Sequence, residues 1–305
     1  MGEKVHEGVS QRLGPAFEEG SFRVWAARLP WWLAAGEWIK GPWDGWDFMA
    51  HVLDRFSLAG KTALVTGGSR GLGRRIAVAL AQAGARVVVT ARSLETAQDA
   101  ARSIAAETQS AALGVALDVT VSAQVEETVA RVLDWSARLD VLVNNAGINI
   151  RGPIETLAEA DWDAVIDANL KGPWLCCRAA ARAMKSQKWG RVINVSSMLG
   201  EISLPFRTPY ASSKGGLTLL TKTLALEWAK DGINVNALCP GPFATEINTA
   251  LLADPAARAE MEANIPLGRW GDPVELGPAA VFLASEASSF MTGATLFIDG
   301  GYTAR

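Results

Sequence analysis

Seven short apolar runs, rich in Val, Leu and Ile, alternate with Ala-rich helical stretches from residue 60 to the C-terminus. This alternation constrains the fold more than any other feature of the chain, because it is typical of a parallel sheet covered by helices on both faces. The sequence therefore predicts an α/β fold, with one doubly wound domain over residues 56–305. Its seven-stranded parallel sheet is predicted to have strands near residues 62–66, 86–90, 112–117, 140–143, 191–195, 233–238 and 294–298.

Residues 1–55 differ in character, since they hold six of the twelve tryptophans and show no strand alternation. We predict a Trp-rich N-terminal extension of unknown role, which could dock onto the domain, mediate assembly or lie on a membrane surface. Acidic residues outnumber basic ones in this segment, which disfavours attachment to anionic lipid. An alternative interpretation is that Met49 is the native start.

The composition excludes several classes of function. His6 and His51 are the only histidines, and both precede the other motifs, so a Ser-His-Asp or Cys-His mechanism is not expected. Two of the three cysteines are adjacent at positions 176 and 177, which gives neither a zinc-ligand spacing nor a disulfide framework. The net charge of −3 does not indicate nucleic-acid binding, and no apolar run approaches the ~20 residues of a membrane helix. We expect a cytoplasmic protein, since no signal peptide or acylation motif is readable. From the histidine and cysteine positions we expect an enzyme without a metal.

Tyr210 and Lys214 lie four residues apart in Tyr-Ala-Ser-Ser-Lys, and Ser197 lies thirteen residues upstream. On a helix this spacing puts the tyrosine and the lysine on one face, where the ammonium can stabilise a tyrosinate. Because a free tyrosine has a pKa of about 10, it carries protons near neutrality only with such help. Ser197 can donate a hydrogen bond to a carbonyl oxygen that gains negative charge. These three residues predict the reduction of a carbonyl group.

The first predicted strand leads directly into Thr66-Gly-Gly-Ser-Arg-Gly-Leu-Gly73, and a helix follows. Glycines let the backbone approach a pyrophosphate, and the helix N-terminus presents free N–H groups and a positive dipole end. The spacing is Gly-x3-Gly-x-Gly, so an ordinary Gly-rich turn is the alternative if this motif stands alone.

The end of the second predicted strand bears on the choice of cofactor. An acidic residue at this position holds the ribose 2′-hydroxyl of NAD and repels the phosphate of NADP. Here the strand ends in Ala91-Arg92 with no acid, and Arg92 and Arg70 could both reach a 2′-phosphate. We therefore predict that NADP(H) is preferred over NAD(H).

Asn169 lies on the apolar stripe of a helix predicted over residues 161–184, where a polar side chain needs a partner. Pro173 follows four residues later, so the helix should bend and leave the carbonyl of Asn169 free. That carbonyl could hold a water that carries protons to or from Lys214. The alternative is that the Asn169 side chain only caps the helix or completes the hydrogen bonds at the bend.

Together these motifs resemble the short-chain dehydrogenase/reductase family, from about residue 56 to residue 302. The agreement lies in the order and spacing of many short elements rather than in any one of them. The matching elements are Thr66–Gly73, Asp118-Val119, Asn144–Gly147, Asn169, Ser197, Tyr210-x3-Lys214, Pro240-Gly241-x3-Thr245 and Asp299–Gly301.

The resemblance implies a Rossmann fold and a role for each matching residue. Tyr210 would be the general acid in reduction, with Lys214 lowering its pKa and holding the nicotinamide ribose. Ser197, with Ser196 as its rival, would orient the substrate carbonyl, and Asn169 would support the water relay. The implied cofactor contacts are Gly67, Ser69, Arg70, Gly71, Leu72, Gly73, Arg92, Asp118, Val119, Asn145, Ala146, Gly147, Tyr210, Lys214, Pro240, Gly241 and Thr245.

Within the family, the chain is most similar to gluconate 5-dehydrogenase and related sugar-acid reductases, through Ile148-x2-Arg151-x-Pro153, Ser197-Met198-x2-Glu201 and the Arg-Trp-Gly-Asp-Pro run at 269–273. This likeness implies hydride transfer between NADP(H) and a sugar acid or another polar ketone. The alternatives are a 3-oxoacyl-[acyl-carrier-protein] reductase and a membrane-associated reductase anchored by the N-terminal segment. The expected substrate contacts are Asn149, Arg151, Glu201 and Arg207, with residues 243–266 as a lid.

The family resemblance also suggests a homotetramer, with helices 161–184 and 211–229 at the contacts between subunits. The second helix carries Leu217, Leu220, Leu224 and Trp228 at spacings of three and four. These residues fit either a subunit interface or the core of the monomer, and the core is the preferred interpretation.

Overall fold

The computed structural model describes residues 51–304. The predicted Trp-rich extension lies outside the described residues, except for a short 3-10 helix at Val52–Phe56. The seven strands are β1 (Thr62–Val65), β2 (Arg86–Ala91), β3 (Ala112–Ala116), β4 (Val141–Asn144), β5 (Gly190–Val195), β6 (Ile233–Pro240) and β7 (Thr295–Ile298). The helices are α1 (Gly71–Gln82), α2 (Leu94–Thr108), α3 (Ser122–Ser136), α4 (Glu159–Ile166), α5 (Gly172–Gln187), α6 (Thr208–Trp228), α7 (Thr249–Ala253), α8 (Pro255–Ala263) and α9 (Leu276–Ala284).

The strands form one sheet in the order β3-β2-β1-β4-β5-β6-β7, and every pair is parallel. The predicted seven-stranded parallel sheet is therefore confirmed. The strand order reverses between β1 and β4, which pair with Ala63 opposite Val141. In open sheets of this kind, ligands bind outside the carboxyl ends of the strands at this reversal.

Apolar residues cover both faces of the sheet, as the uninterrupted Val-rich strands require. One cluster joins alternate strand residues such as Val65 and Val87 to helices α1, α2 and α9. The other joins Leu64 and Val88 to helices α3, α5 and α6. Each face thus has its own core, and the helices hold the carboxyl ends of the strands in a fixed arrangement.

The helix predicted over residues 161–184 is longer in the structure and is not continuous. The helical segment extends over residues 159–187, and a π-helical turn at Asp167–Lys171 separates α4 from α5. Pro173 lies in the first turn of α5 and cannot donate a backbone hydrogen bond, which favours such an irregularity just before it. Turns of this type are frequent at functional sites, and this one contains Asn169.

Helix α6 begins three residues before the predicted start at 211, because Pro209 fits the first turn of a helix. Its residues Leu217, Leu224 and Trp228 are buried, and Leu220 is partly buried against the same core. The core interpretation of this apolar stripe is therefore confirmed.

Candidate active site

The glycine-rich turn and the Asn144–Gly147 loop follow β1 and β4, the two strands between which the order reverses. Gly67 and Gly71 both have positive φ, +61° and +55°, which glycine adopts without strain. A Cβ at Gly73 would lie 2.3 Å from Asn145 Nδ2, so only glycine allows these two loops to meet. Arg70 precedes α1 without a side-chain cap, which leaves the first N–H groups of α1 available to an anion.

Buried hydroxyl groups hold this turn in place. The Thr66 hydroxyl accepts hydrogen bonds from the backbone N–H groups of Asn145 and Ala146, at 3.0 and 3.1 Å. Asn145 Nδ2 donates to the carbonyls of Thr66 and Gly67 at 2.9 and 3.1 Å. Thr90, at the end of β2, accepts from Gly67 N at 3.2 Å. The sequence prediction did not include Thr66 and Thr90 as supporting residues, although both lie at strand ends beside predicted contacts.

The predicted adenine and 2′-phosphate contacts follow β1, β2 and β3. Asp118 accepts hydrogen bonds from Thr120 N and Thr120 Oγ1, and these bonds lower the pKa of its carboxyl, with a smaller contribution from Arg92. Arg92 is exposed at the end of β2. Arg70 is also exposed and lies 3.9 Å from the carboxylate of Glu246. Arg70 in the glycine-rich turn and Arg92 after β2 are thus two exposed cations that follow the carboxyl ends of neighbouring strands.

The three predicted catalytic side chains lie together. Ser197 is buried at the end of β5, and its hydroxyl accepts a hydrogen bond from Leu199 N at 3.1 Å. Tyr210 is half-buried on the first turn of α6, and Lys214 Nζ lies 5.6 Å from its ring centre. Burial raises the pKa of Tyr210, and a hydrogen bond with Ser197 is the largest influence that lowers it. The four-residue spacing of Tyr210 and Lys214 does not predict that burial raises the pKa of Tyr210.

Lys214 is buried, and its ammonium donates to the carbonyl of Val195 at 2.7 Å. Burial lowers the pKa of Lys214 to about 8, while Cys239 has a smaller, opposite effect. Cys239 is itself buried at the end of β6 and forms hydrogen bonds with the Ser196 side chain and the Ser197 backbone. Cys239 was not predictable from the sequence, because nothing in a single sequence links it to the two serines.

The two candidate serines have different surroundings. Ser196 donates to the carbonyl of Lys214 at 3.0 Å and lies 3.2 Å from Thr218 Oγ1, so its hydroxyl is engaged within the core. Ser197 is the serine that bonds with Tyr210. The geometry therefore favours Ser197 over its rival.

The Asn169 side chain is fully buried in the π-helical turn and makes three hydrogen bonds, two with Ile148 and one with Ser213. Its Oδ1 accepts from Ile148 N at 2.8 Å, and its Nδ2 donates to Ile148 O at 2.9 Å. Nδ2 also lies 3.1 Å from Ser213 Oγ. The polar side chain on the apolar stripe thus has the partners it needs, and it connects the loop after β4 to α6.

Two of the four predicted substrate contacts act on Tyr210. The charges of Arg151 and Arg207 both lower the pKa of Tyr210, so both guanidinium groups act on its hydroxyl through the electrostatic field. Arg207 is half-buried and Arg151 is exposed. Asn149 Oδ1 is buried without a hydrogen-bond partner among the described residues, which leaves an acceptor available to a ligand. Glu201 is exposed four residues beyond Ser197, and its charge raises the pKa of Cys239 slightly.

The remaining predicted residues line the same edge of the sheet. Pro240 ends β6, and a Cβ at Gly241 would lie 2.6 Å from Asp299 Cα, so this turn requires close backbone approach. Thr245 follows at the start of the segment that contains α7 and α8. Val119 is buried against Gly172, while Ser69 and Leu72 are half-buried in the glycine-rich turn and the start of α1.

Within residues 51–304, no helix is long and apolar enough to cross a membrane. In the same part of the chain, no group of three or more His, Cys, Asp and Glu side chains is arranged to hold a metal ion.

Comparison with known proteins gives consistent matches. A family model described as enoyl-(acyl carrier protein) reductase matches residues 67–303. The chain is 40% identical over 255 residues to gluconate 5-dehydrogenase of Gluconobacter oxydans, covering 84% of this chain and 99% of that protein. It is 39% identical over 246 residues to 3-oxoacyl-[acyl-carrier-protein] reductase of Synechocystis, covering 80% and 98%. The crystal structure of a gluconate 5-dehydrogenase from Burkholderia cenocepacia in complex with NADP and tartrate superposes with a TM-score of 0.81 and 42% identity, covering 84% of this chain and 100% of that one.

Proposed function

The chain belongs to the short-chain dehydrogenase/reductase family, and from this premise we propose that it interconverts a ketone and a secondary alcohol of a sugar acid or a similar polar molecule, with NADP(H) preferred. As a member of this family it is an NAD(P)-dependent oxidoreductase that acts on CH–OH groups of a small molecule. The observation that carries the proposal is that Ser197, Tyr210 and Lys214 lie together at the carboxyl edge of the parallel sheet, the edge that also carries the glycine-rich turn.

The cofactor site fits a dinucleotide. The turn at Gly67–Gly73 leaves no room for a Cβ at Gly73, and the uncapped start of α1 can receive the pyrophosphate. Asp118 and Val119 would contact the adenine, and the Asn145–Gly147 loop and the Pro240–Thr245 segment would line the nicotinamide end. A bound NADPH would supply the hydride for the carbonyl carbon.

Proton transfer falls to the residues of this chain. The Tyr210 hydroxyl gives its proton to the carbonyl oxygen as the hydride arrives, while Ser197 donates a hydrogen bond to the same oxygen. Lys214 is protonated below about pH 8 and stabilises the tyrosinate that remains. The backbone carbonyl of Asn169 would hold the water that restores the proton.

NADP(H) preference is proposed from the charges at the edge of the turn. Arg92 and Arg70 are exposed there, and no acidic residue ends β2 to hold a ribose 2′-hydroxyl. The Burkholderia relative, which contains NADP, supports this choice.

A carboxylate on the substrate is proposed from Arg151 and Arg207, the two arginines whose charges lower the pKa of Tyr210. Arg151 and Arg207 repel each other, and burial together with this repulsion lowers the pKa of Arg207. An anion between them would relieve the repulsion, and arginine binds carboxylates through paired hydrogen bonds. Asn149 and Glu201 would then bind hydroxyl groups. The gluconate 5-dehydrogenase relative supports this reading, while the Synechocystis relative keeps 3-oxoacyl-[acyl-carrier-protein] reduction as the second candidate.

A screen of NADPH oxidation separates these candidates. We expect 5-ketogluconate to be reduced with a higher kcat/KM than acetoacetyl thioesters, neutral diketones or cyclic ketones. In an Arg207→Leu variant, kcat/KM for 5-ketogluconate should fall at least ~10-fold, since a charge-assisted bond is worth roughly 1.5–3 kcal/mol. A neutral diketone should lose much less. A wild-type preference for acetoacetyl thioesters would overturn the sugar-acid assignment in favour of the second candidate.

We also propose a homotetramer, assembled in part through α5 and α6. Trp174 on α5 and Leu219 and Leu226 on α6 are exposed, with Leu226 at 84% of its full accessibility. Such apolar side chains mark an interaction surface when they lie on adjoining elements. Sedimentation should give the mass of four chains, and Leu226→Glu should lower it. A monomer at all concentrations would contradict this assembly.

A cytoplasmic location is proposed as well, against the alternative of attachment through the N-terminal segment. Fractionation of cells that express the full chain, or a chain that begins at Met49, distinguishes the two. Recovery of only the full chain with the membranes would favour attachment.

A further inference from the structure

Ser213 lies between Tyr210 and Lys214 in sequence, and its side chain is fully buried. Its hydroxyl donates to the backbone carbonyl of Tyr210 at 2.7 Å. The oxygen of the Ser213 hydroxyl also accepts a hydrogen bond from Asn169 Nδ2 at 3.1 Å. The Ser213 hydroxyl is therefore the donor in a hydrogen bond to Tyr210 and the acceptor in one from Asn169.

These bonds connect three separate elements. Asn169 is in the π-helical turn, and its amide holds Ile148 at the end of the loop that follows β4 through two further bonds. Tyr210 is on the first turn of α6. Ser213 is the link through which the Asn169 amide reaches the backbone of Tyr210. Without it, Asn169 would still hold Ile148 but would have no bond to the helix that carries the proton donor.

We propose that Ser213 is a positioning residue, which fixes the backbone of Tyr210 relative to Asn169 and to the loop at Gly147-Ile148. This inference rests on the proposed function, since it takes Tyr210 as the proton donor. The tyrosine is half-buried, and a displacement of its ring would change both its hydrogen bond with Ser197 and its distance from Lys214 Nζ, which lies 5.6 Å from the ring centre. Catalysis is sensitive to such displacements, because proton transfer requires hydrogen-bond distance to the reacting oxygen.

The chain contains a matched control two turns along the same helix. Thr221 is also buried, donates to a helix carbonyl, that of Leu217, at 2.8 Å, and accepts from the amide of Asn194 at 2.8 Å. Its bonding pattern is that of Ser213, but its partners do not touch Tyr210. Ser213→Ala and Thr221→Val therefore remove equivalent buried hydroxyl groups, and only the first is beside the proton donor.

The experiment compares steady-state kinetics of the two variants in the full chain. Ser213→Ala should lower kcat ~10-fold, the effect of one lost bond of about 1.4 kcal/mol, with the KM values for NADPH and ketone changed less than ~2-fold. Its pH profile in the oxidation direction should move to higher pH, because a displaced tyrosinate is less stabilised by Lys214. Thr221→Val should lower the melting temperature about as much as Ser213→Ala does, and it should leave kcat and the pH profile at their wild-type values.

A second measurement tests the link through Asn169. In an Asn169→Ala background, Ser213→Ala should cost less than ~2-fold in kcat, whereas independent residues would give the same cost in both backgrounds. If the Asn169→Ala chain does not fold, the pH profile of Ser213→Ala decides alone. The proposal is overturned if Ser213→Ala keeps the wild-type kcat and pH profile, or if Thr221→Val lowers kcat equally. Failure of the proposed function appears separately, as activity retained by Tyr210→Phe.

Discussion

Replacement of Gly147 by alanine tests how strongly the site depends on the Asn169 amide. A Cβ at position 147 would lie 2.8 Å from Asn169 Oδ1, whereas ordinary contacts begin at 3.4 Å. The amide would have to move by the difference between these distances, about 0.6 Å. That oxygen accepts the hydrogen bond from Ile148 N, and the amide nitrogen bonds with Ile148 O and Ser213 Oγ. Most of the bonds that join the loop to α6 would be distorted.

The expected cost follows from these bonds. Loss of two of the three, at about 1 kcal/mol each, lowers the free energy of unfolding by about 2 kcal/mol. For a domain of this size the melting temperature should fall by roughly 4–8 °C. We expect kcat to fall at least ~10-fold, because Asn169 and Tyr210 lose their fixed relation.

Circular dichroism melts and steady-state assays at saturating NADPH measure the two effects. Gly215→Ala in α6 is the control, since the nearest atom to its added Cβ is Gly200 O at 3.6 Å. Alanine in a helix interior is more stable than glycine by roughly 0.5–1 kcal/mol, so this variant should melt at or above the wild-type temperature. The reasoning is refuted if Gly147→Ala melts like the wild type and retains its kcat.

Four further predictions concern the catalytic and cofactor residues. Tyr210→Phe should still bind NADPH but lose orders of magnitude in kcat. Tyr302→Phe, which alters the other tyrosine of the chain, should keep a kcat within ~3-fold of the wild-type value. If Tyr210→Phe retained more than a tenth of the activity, the role of proton donor would be contradicted. Arg92→Asp should lower the ratio of kcat/KM for NADPH to kcat/KM for NADH. The same change at Arg131, which is exposed on α3, should leave this ratio at its wild-type value. An unchanged ratio in Arg92→Asp would mean that Arg92 is a surface charge without a role in cofactor selection. Reduction should slow as the pH rises through about 8, where Lys214 loses the charge that stabilises the tyrosinate, and a flat profile between pH 7 and 9 would refute this. In addition, the contribution of Lys214 to the free energy of unfolding should grow as the pH rises from about 8 toward 10.5, because the unfolded chain binds more protons in that range.

Much of the fold was predictable because its signals are local. The apolar runs placed each strand within about two residues of its position in the structure, for example β6 at Ile233–Pro240 against the predicted 233–238. The spacing of Tyr210 and Lys214 predicted that they share a helix face, and the family resemblance added Ser197 to the same site. The same local logic predicted a bend before Pro173, although not that it takes the form of a π-helical turn.

Other features depend on residues that are distant in sequence. Thr66 supports Asn145 across 79 positions, and Ser213 reaches Asn169 across 44. The spacing of Tyr210 and Lys214 predicts an attraction that favours the tyrosinate, but only the packed structure shows that burial opposes it. The sequence by itself determined which elements form and which chemical groups are available, because periodicity and turn chemistry act between near neighbours. The tertiary structure alone decided which hydroxyl and amide groups hold those catalytic residues in place and how far each is removed from water, because hydrogen bonding and desolvation depend on distances in space.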